Sequence, residues 1–397
     1  MKINLAVLFG GKSVEHEISI ISALQAIGNF DKEKYEVIPI YITKNNEFFF
    51  GSELGDIEEY RDIPALLKKC TQVSFVTKRS KTFIVPFLKK LAHRRKHLFL
   101  VDVAFPIVHG TNAEDGVLQG YLKMLDLPFV GCDVLSSAVC MDKFSTRVLL
   151  KYAGFPVLDC LRFTLEDNKD HDKIMKIVEK EFDYPVVIKP VNLGSSVGIG
   201  IVKNASEFED SISTAFSFSD KIIVEPAIVN LREINCSVIG DLEDAVASEC
   251  EEPYANDEIL SYSDKYLRGS KQNGSKGMAN LKRKIPADIS SETKSEIQRT
   301  AIDAFKFLDC NGVSRIDFLL DSKTNEFWIN EINTIPGSLS FYLWEHTGIN
   351  YKDLLDKLVT LALKRQRKDD NIVYSFDTNI LSISESFGSK RSKGSVL

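Results

Sequence analysis

Only seven of the 397 residues are cysteine, two are tryptophan and six are histidine. The cysteines (Cys70, Cys132, Cys140, Cys160, Cys236, Cys250, Cys310) are odd in number and widely spread, with no C-x-x-C pair and no histidine at metal-ligand spacing. A disulfide scaffold and a thiolate metal site are therefore not indicated, and buried reduced thiols are the plain reading. Long apolar runs are missing too: Asp102 interrupts even the richest stretch, Leu98 to Val108, so no window approaches the ~18 residues of a membrane helix. Nor is there an excess of basic charge, since 50 Lys and Arg against 56 Asp and Glu leave a net charge of -6. That balance carries no overall electrostatic footprint for nucleic acid. Lys2 before the apolar run Ile3 to Phe9 could open a secretory signal, but Gly10-Gly11-Lys12 follows without a small-residue cleavage site. The expectation is a cytosolic globular protein of roughly two to three domains, with small-molecule partners and neither membrane nor nucleic acid.

Apolar runs bounded by glycine alternate with helical patterns in the first third of the chain, which predicts strand-helix units and a largely parallel sheet. Strands are expected at Lys2 to Phe9, Tyr35 to Ile42, Asp102 to Val108 and Pro128 to Val130, and helices at Val14 to Ile27 and Asp115 to Leu125. Together they read as a doubly wound, Rossmann-like N-terminal domain over residues 1–134. Between about 51 and 97 the pattern loosens, and Lys89, Lys90, Arg94, Arg95 and Lys96 cluster, which reads as a solvated insertion. Leu135 to Tyr152 has a helical period ending at Gly154 with Pro156 beyond. Tyr184 to Pro190, Gly200 to Lys203, Lys221 to Pro226 and Glu233 to Ile239 read as strands of an α+β body, which divides into a central part, 135–220, and a C-terminal part, 221–365. The glycine- and lysine-rich stretch 254–284 is a long loop of the functional or disordered kind. Ser290 to Phe307 is expected to be a helix, Gly312 to Leu320 and Glu326 to Asn333 a pair of strands, and Tyr351 to Lys364 a last amphipathic helix. The polar tail 366–397 should be disordered.

Several familiar motifs fail when spelled out. Gly10-Gly11-Lys12-Ser13 ends like a P-loop, but Ala6 stands where its first glycine belongs. His16-Glu17 begins a zinc-protease helix, but position 20 is isoleucine. Gly198-Ile-Gly200 lacks the third glycine of a dinucleotide fingerprint, since position 203 is lysine. What remains is a spread constellation. Lys143 follows Met141-Asp142 on a helix and Lys189 ends an apolar strand, which suits a polyphosphate. Gly194-Ser195-Ser196-Val197-Gly198 can bring backbone amides and hydroxyls close to phosphate oxygens. In Ser314-Arg315-Ile316-Asp317, period-2 alternation puts Arg315 and Asp317 on one face. Glu331 and Asn333 share a face at the end of the next strand. Paired, the two strands bring Asp317, Glu331 and Asn333 together as an oxygen-only set suited to Mg²⁺. The competing reading is a buried salt bridge of Arg315 with Asp317 or Glu331.

His109-Gly-Thr-Asn-Ala-Glu-Asp-Gly-Val-Leu-Gln-Gly, Met141-Asp-Lys, Val187-Ile-Lys-Pro, Gly194-Ser-Ser-Val-Gly, Arg315-Ile-Asp and Glu331-Ile-Asn-Thr-Ile-Pro-Gly, in this order over about residues 3 to 362, resemble the D-alanine:D-alanine ligase family of the ATP-grasp fold. Gly10-Gly-Lys-Ser-Val-Glu15-His-Glu-Ile-Ser is similar to the family's N-terminal substrate motif. The resemblance implies an ATP-grasp body with a central lid subdomain and a C-terminal antiparallel-sheet subdomain behind a Rossmann-like domain. It implies that ATP phosphorylates the carboxylate of one D-alanine and that the amine of a second attacks the acylphosphate, giving the dipeptide used in peptidoglycan.

Carried over motif by motif, Lys143, Lys189, Ser196, Glu225 and Lys265 would hold ATP, with Glu233 on the ribose. Asp317, Glu331 and Asn333 would hold two Mg²⁺ (or Mn²⁺). Arg315 and the Gly337 amide would stabilise the acylphosphate and the tetrahedral oxyanion. Glu15 would bind the ammonium of the first D-alanine with His109 nearby, while Ser195 and Tyr266 link to Glu15 and close the site under a mobile lid formed by 254–284. Tyr342 and Leu343 stand where family members making D-alanyl-D-alanine carry Ser-Leu against the second substrate, which opens D-serine or another amine as an alternative acceptor. Tyr266 favours amide over ester formation, and Pro226, where many relatives have lysine, would touch adenine through its backbone. A non-catalytic nucleotide-binding protein is a third reading, disfavoured by the intact Arg315, Asp317, Glu331 and Asn333 set. The resemblance also implies a homodimer.

Overall fold

A computed structural model describes residues 2–87, 99–194, 197–253 and 283–375. The first sheet holds β1 (Ile3–Gly10), β2 (Tyr35–Ile42), β3 (Phe48–Phe50), β4 (Thr71–Thr77), β5 (Thr82–Pro86), β6 (Phe99–Val101) and β7 (Val103–Ile107), in the order β6-β5-β4-β3-β2-β1-β7. β1 has no polar alternation because it is covered on both faces: Leu5 to Phe9 are fully buried. It pairs in parallel with β2 and β7, and the helices α1 (His16–Asn29), α2 (Ile63–Lys69) and α3 (Val117–Met124) belong to this part of the chain.

Three expectations fail here. Only the pairs beside β1 are parallel, while β2 through β6 form successive antiparallel neighbours. The links, such as 78–81 between β4 and β5, are too short for the crossover that parallel strands require. Residues 51–87 are also not a solvated excursion. β4 alternates, burying Val73 and Phe75, and Leu54 and Leu66 are wholly buried. The proposed strand at 128–130 is reduced to a single bridge between Ala104 and Phe129.

The expected helix over 135–152 is two, α4 (Val134–Met141) and α5 (Lys143–Tyr152). Asp142 between them leaves the helical region, with φ -88° and ψ 100°, and its carboxylate caps the Ser145 amide at 2.8 Å. The second sheet follows, with β8 (Leu161–Thr164), β9 (Val186–Pro190), β10 (Gly200–Val202) and β11 (Lys221–Pro226) in the order β10-β9-β11-β8. Helices α6 (His171–Glu181) and α7 (Phe208–Phe216) supply Ile174, Val178, Phe208 and Ile212 to its core. The sheet therefore closes at Pro226, past the expected boundary at 220.

The third sheet is antiparallel: β12 (Leu231–Gly240), β13 (Ala245–Pro253), β14 (Arg283–Lys284), β15 (Gly312–Asp321) and β16 (Phe327–Asn333), ordered β14-β13-β12-β15-β16. Helix α8 (Ser291–Phe307) packs Ile297, Ala301 and Phe305 on it. After α9 (Phe341–Glu345), α10 (Tyr351–Asp369) runs past the expected stop at Lys364. Its Leu354, Leu355, Leu358 and Val359 share one buried cluster with Leu5, Phe9, Ile20 and Phe105, so the last helix completes the core of the first sheet. Most of the expected loop 254–284, most of the tail and the basic cluster from Lys89 to Lys96 lie outside the described residues. No helix among the described residues is long and apolar enough to cross a membrane.

Because Leu66 is fully buried in the cluster that holds β1 and α1, Leu66→Ala is expected to destabilise the protein by about 2–5 kcal/mol. Denaturant unfolding checks this, and a solvated excursion would instead give a near-neutral change.

Candidate active site

The N-terminal contribution to the site comes from the ends of β1 and β7. Gly10 has φ +96°, and a Cβ there would lie 2.3 Å from the Ile42 carbonyl oxygen, so only glycine allows the chain to turn from β1 towards α1. Glu15 stands at the start of α1, buried to 7% exposure. His16 beside it is structural: its Nδ1 lies 2.6 Å from the Gly11 carbonyl and its Nε2 2.9 Å from the Tyr41 hydroxyl. His109, just beyond β7, faces the cavity, with Nδ1 2.8 Å from the Ile335 carbonyl and Nε2 3.2 Å from Ser22 Oγ. Burial pushes its pKa down, against the pull of Glu15. Glu114 accepts the Gly110 amide at 2.8 Å and the Ile335 amide at 3.1 Å. Burial, then the neighbouring Glu15, raise its carboxyl to about 8.

The acidic side is built by the register of β15 and β16. Arg315 lies opposite Asn333 and Asp317 opposite Glu331, and the pairing then slips so that Phe318 faces Ile329. Asn330 is the extra residue of this bulge, and it joins Glu331 on the cavity wall where strict alternation would turn it away. Arg315 forms a bidentate pair with Asp317, Nε to Oδ1 and Nη2 to Oδ2 both at 2.6 Å. Burial alone would favour a neutral guanidine, and Asp317 outweighs it, raising the pKa of Arg315 well above its usual value. Asn333 Nδ2 donates to Asp317 Oδ2 at 3.0 Å. Asp317, Glu331 and Asn333 thus converge as the alternation predicts, and the salt bridge of Arg315 with Asp317 is present as well.

The basic side comes from α5 and β9. Lys143 donates to the Leu193 carbonyl at 2.7 Å and lies 3.1 Å from Glu331 Oε2. Lys189 pairs with Glu225 at 2.5 Å and donates to Asn330 Oδ1 at 3.0 Å. Glu225, 1% exposed, also pairs with Arg147 on α5. Burial would raise the Glu225 pKa, and the two cations together hold it down to about 2. Glu225 thus lies beneath Lys189 and fixes its ammonium.

Two adjoining cavities result. The larger, about 380 Å³, has apolar walls that include Val187, Ile201, Pro226 and Phe318 and holds Lys189, Glu225 and Glu233. The smaller, about 80 Å³, is lined by Glu15, His109, Glu114, Arg283, Arg315 and Gly337 among others. Lys143, Asp317 and Glu331 line both. Among the described residues no group of three or more His, Cys, Asp or Glu is arranged to hold a metal. The candidate set is instead two carboxylates and a carboxamide, an all-oxygen chemistry that fits Mg²⁺ or Mn²⁺.

Tyr342 and Leu343 do not line either cavity. They are buried, at 6% and 0% exposure, in a small core with Ile285 and Phe341. Left-handed backbone at Ser338, Leu339 and Ser340 precedes the short helix that carries them. The wall itself is made by Glu251 and Arg283, which the sequence reading missed because Arg283 is one more basic residue at the end of a lysine-rich stretch. Glu114, Arg147 and Asn330 were missed too. Glu114 lay inside the His109 motif, whereas the bulge that turns Asn330 inward has no sequence signal. Ser195, Ser196, Lys265 and Tyr266 lie outside the described residues.

Comparison with known proteins gives a consistent result. Residues 4–132 match the family described as "D-ala D-ala ligase N-terminus" and residues 149–360 the family "D-ala D-ala ligase C-terminus". A D-alanine–D-alanine ligase of Thermosipho melanesiensis is 40% identical over 382 residues, 96% of this chain and 99% of that protein. The D-alanine-D-alanine ligase structure from Coxiella burnetii aligns with a TM-score of 0.76 at 31% identity, covering 93% of this chain and 96% of its own. The VanG D-Ala:D-Ser ligase from Enterococcus faecalis aligns with a TM-score of 0.75 at 31% identity, covering 91% and 100%.

Glu225→Gln would leave Lys189 and Arg147 facing a neutral partner, and a loss of about 3–5 kcal/mol at neutral pH is expected. The carboxyl has a folded pKa near 2 against an ordinary value of 4.5, so its contribution is present above pH 4.5 and fades as pH falls towards 2. Unfolding curves of the two proteins should therefore converge through that window.

Proposed function

This chain is a member of the D-alanine–D-alanine ligase family, and on that footing we propose that it joins two D-alanine molecules into D-alanyl-D-alanine, with ATP converted to ADP and phosphate. The observation that carries the reading is the shared wall of the two cavities, where Lys143, Asp317 and Glu331 face both. A nucleotide in the larger cavity then presents its terminal phosphate at the smaller one.

The reaction has two steps. A carboxylate oxygen of the first D-alanine takes the γ-phosphoryl group, the bond to the β-phosphate breaks, and ADP leaves. The amine of the second D-alanine, unprotonated, then attacks the acyl carbon, the carbon–oxygen bond to phosphate breaks, and the proton the nitrogen loses as the peptide forms goes to the departing phosphate. Lys143 and Lys189 hold the phosphates, and Glu225 holds Lys189. Glu233 takes the ribose, and the apolar walls take the base. Ser196 and Lys265 complete the nucleotide contacts. Mg²⁺ or Mn²⁺ bound by Asp317, Glu331 and Asn333 would neutralise charge on the transferred phosphoryl group.

Glu15, near His109, binds the ammonium of the first D-alanine, and Ser195 and Tyr266 are assigned to the same substrate. Arg315, fixed in plane by its two bonds to Asp317, meets the developing charge of the acylphosphate and of the tetrahedral oxyanion, together with the Gly337 amide. A homodimer acting in the cytoplasm, supplying the dipeptide for peptidoglycan, completes the proposal.

Purified protein with ATP, Mg²⁺ and D-alanine alone is expected to release phosphate and yield D-alanyl-D-alanine by mass. Release only after D-serine or another amine is added would reassign the acceptor. Arg315→Lys, which keeps a cation beside Asp317 but loses the planar fork, is expected to bind ATP with near-normal affinity and to lose ligation by on the order of 10²-fold. Normal turnover in that variant would remove Arg315 from the mechanism.

A further inference from the structure

The acceptor in the second step is an amino acid, and its α-carboxylate sits two bonds from the attacking nitrogen. If the amine reaches the acyl carbon, the carboxylate is buried close by and needs a donor. The cavity offers few cationic side chains for it. Among the described residues Lys143, Arg283 and Arg315 line it. Lys143 lies on the wall shared with the nucleotide cavity and is engaged by the Leu193 carbonyl and Glu331. Arg315 has its fork on Asp317 and is needed at the acylphosphate. His109 has both ring nitrogens on Ile335 and Ser22.

Arg283 is engaged as well, but it lies away from the nucleotide cavity and has no assigned role in the first step. It enters from β14, and Glu251 on β13 takes its Nη1 at 2.7 Å. Its guanidinium lies over the Tyr342 ring, 3.9 Å from the centroid. Glu251 is itself held by the Tyr342 hydroxyl at 3.2 Å and by Asn235 Nδ2 at 3.0 Å. The plane of the guanidinium is thereby fixed from two sides, although its side chain keeps 9% exposure on the cavity. A planar fork oriented by a carboxylate and an aromatic face is the arrangement that recognises another carboxylate.

We propose that Arg283, braced by Glu251 and Tyr342, binds the α-carboxylate of the accepting amino acid and so restricts the acceptor to free amino acids. This deepens the ligase reading and rests on it. Tyr342 then acts on the acceptor through Arg283, as a positioning residue.

The test is a competition in which the full-length protein receives ATP, Mg²⁺, D-alanine and an equal concentration of D-alaninamide, an acceptor without the carboxylate. The wild-type protein is expected to make mostly the free-acid dipeptide. In Arg283→Met the ratio of dipeptide to dipeptide amide should fall by on the order of 10- to 100-fold, and the KM for acceptor D-alanine should rise. ATP affinity measured without D-alanine should be unchanged. If Arg283→Met fails to bind ATP, Arg283→Lys is read in its place, with a smaller fall in the same ratio expected. An unchanged ratio in the folded variant overturns the assignment of Arg283 while leaving the ligase reading intact. Absence of any dipeptide from the wild-type protein would instead overturn the ligase reading.

Discussion

Arg315 and Asp317 lie two residues apart on one strand, and their bidentate contact is the interaction on which the arrangement of the site depends. Each charge is buried at a position where alone it would be expelled or neutralised. The same pairing repeats across the junction of the cavities, Lys143 with Glu331 and Lys189 with Glu225. A set of opposite charges can stay ionised in a poorly solvated place only when each member neutralises another and the remaining hydrogen-bonding capacity is satisfied. Asn330, Asn333 and the Leu193 carbonyl supply that capacity. Such a network is already polarised before substrates arrive, so little reorganisation has to accompany charge transfer.

The acidic end of this network was legible in the sequence because two short strands with period-2 alternation determine which side chains share a face. Arg315, Asp317, Glu331 and Asn333 follow from that alone. The bulge at Asn330 was not legible, since the slip in pairing is a property of two strands together. The first sheet shows the same division. β1 was evident as an unbroken apolar run, whereas the direction of β3 to β6 depends on the short links between them. Tyr342 illustrates a different failure. Position in a motif suggested that it faces the substrate, but the left-handed stretch at Ser338 to Ser340 turns it into a core, and the wall is left to residues from β13 and β14. The helix over 135–152 failed for a local reason: Asp142 is a strong capping residue and breaks the period there.

The three sheets meet at the site, and only the second closes on a core wholly its own. The second sheet closes on its own cluster, built by α6 and α7, and contributes Lys189 and Glu225. The third sheet and α8 enclose another and contribute the carboxylates. The first sheet contributes Glu15 and His109 and is joined to the third by a shared buried cluster, in which Ile239 and Val313 pack with Leu5 and Phe9, and by the Ile335 peptide, whose carbonyl lies against His109 and whose amide donates to Glu114. The second sheet, packed on its own cluster and joined to the others at its functional edge, favours relative motion at that edge more than within the cores.

Helix α10 gives the architecture a consequence in time. Its leucines cover the same apolar surface as β1, α1 and β7, yet they are among the last described residues of the chain. During synthesis, the earliest elements to leave the ribosome must wait with an uncovered apolar face until residues near Leu361 and Ala362 have also emerged. The first sheet is therefore the first part to be made and the last to be finished, and a chain arrested within the third sheet would expose a sticky, incomplete N-terminal half to chaperones and proteases.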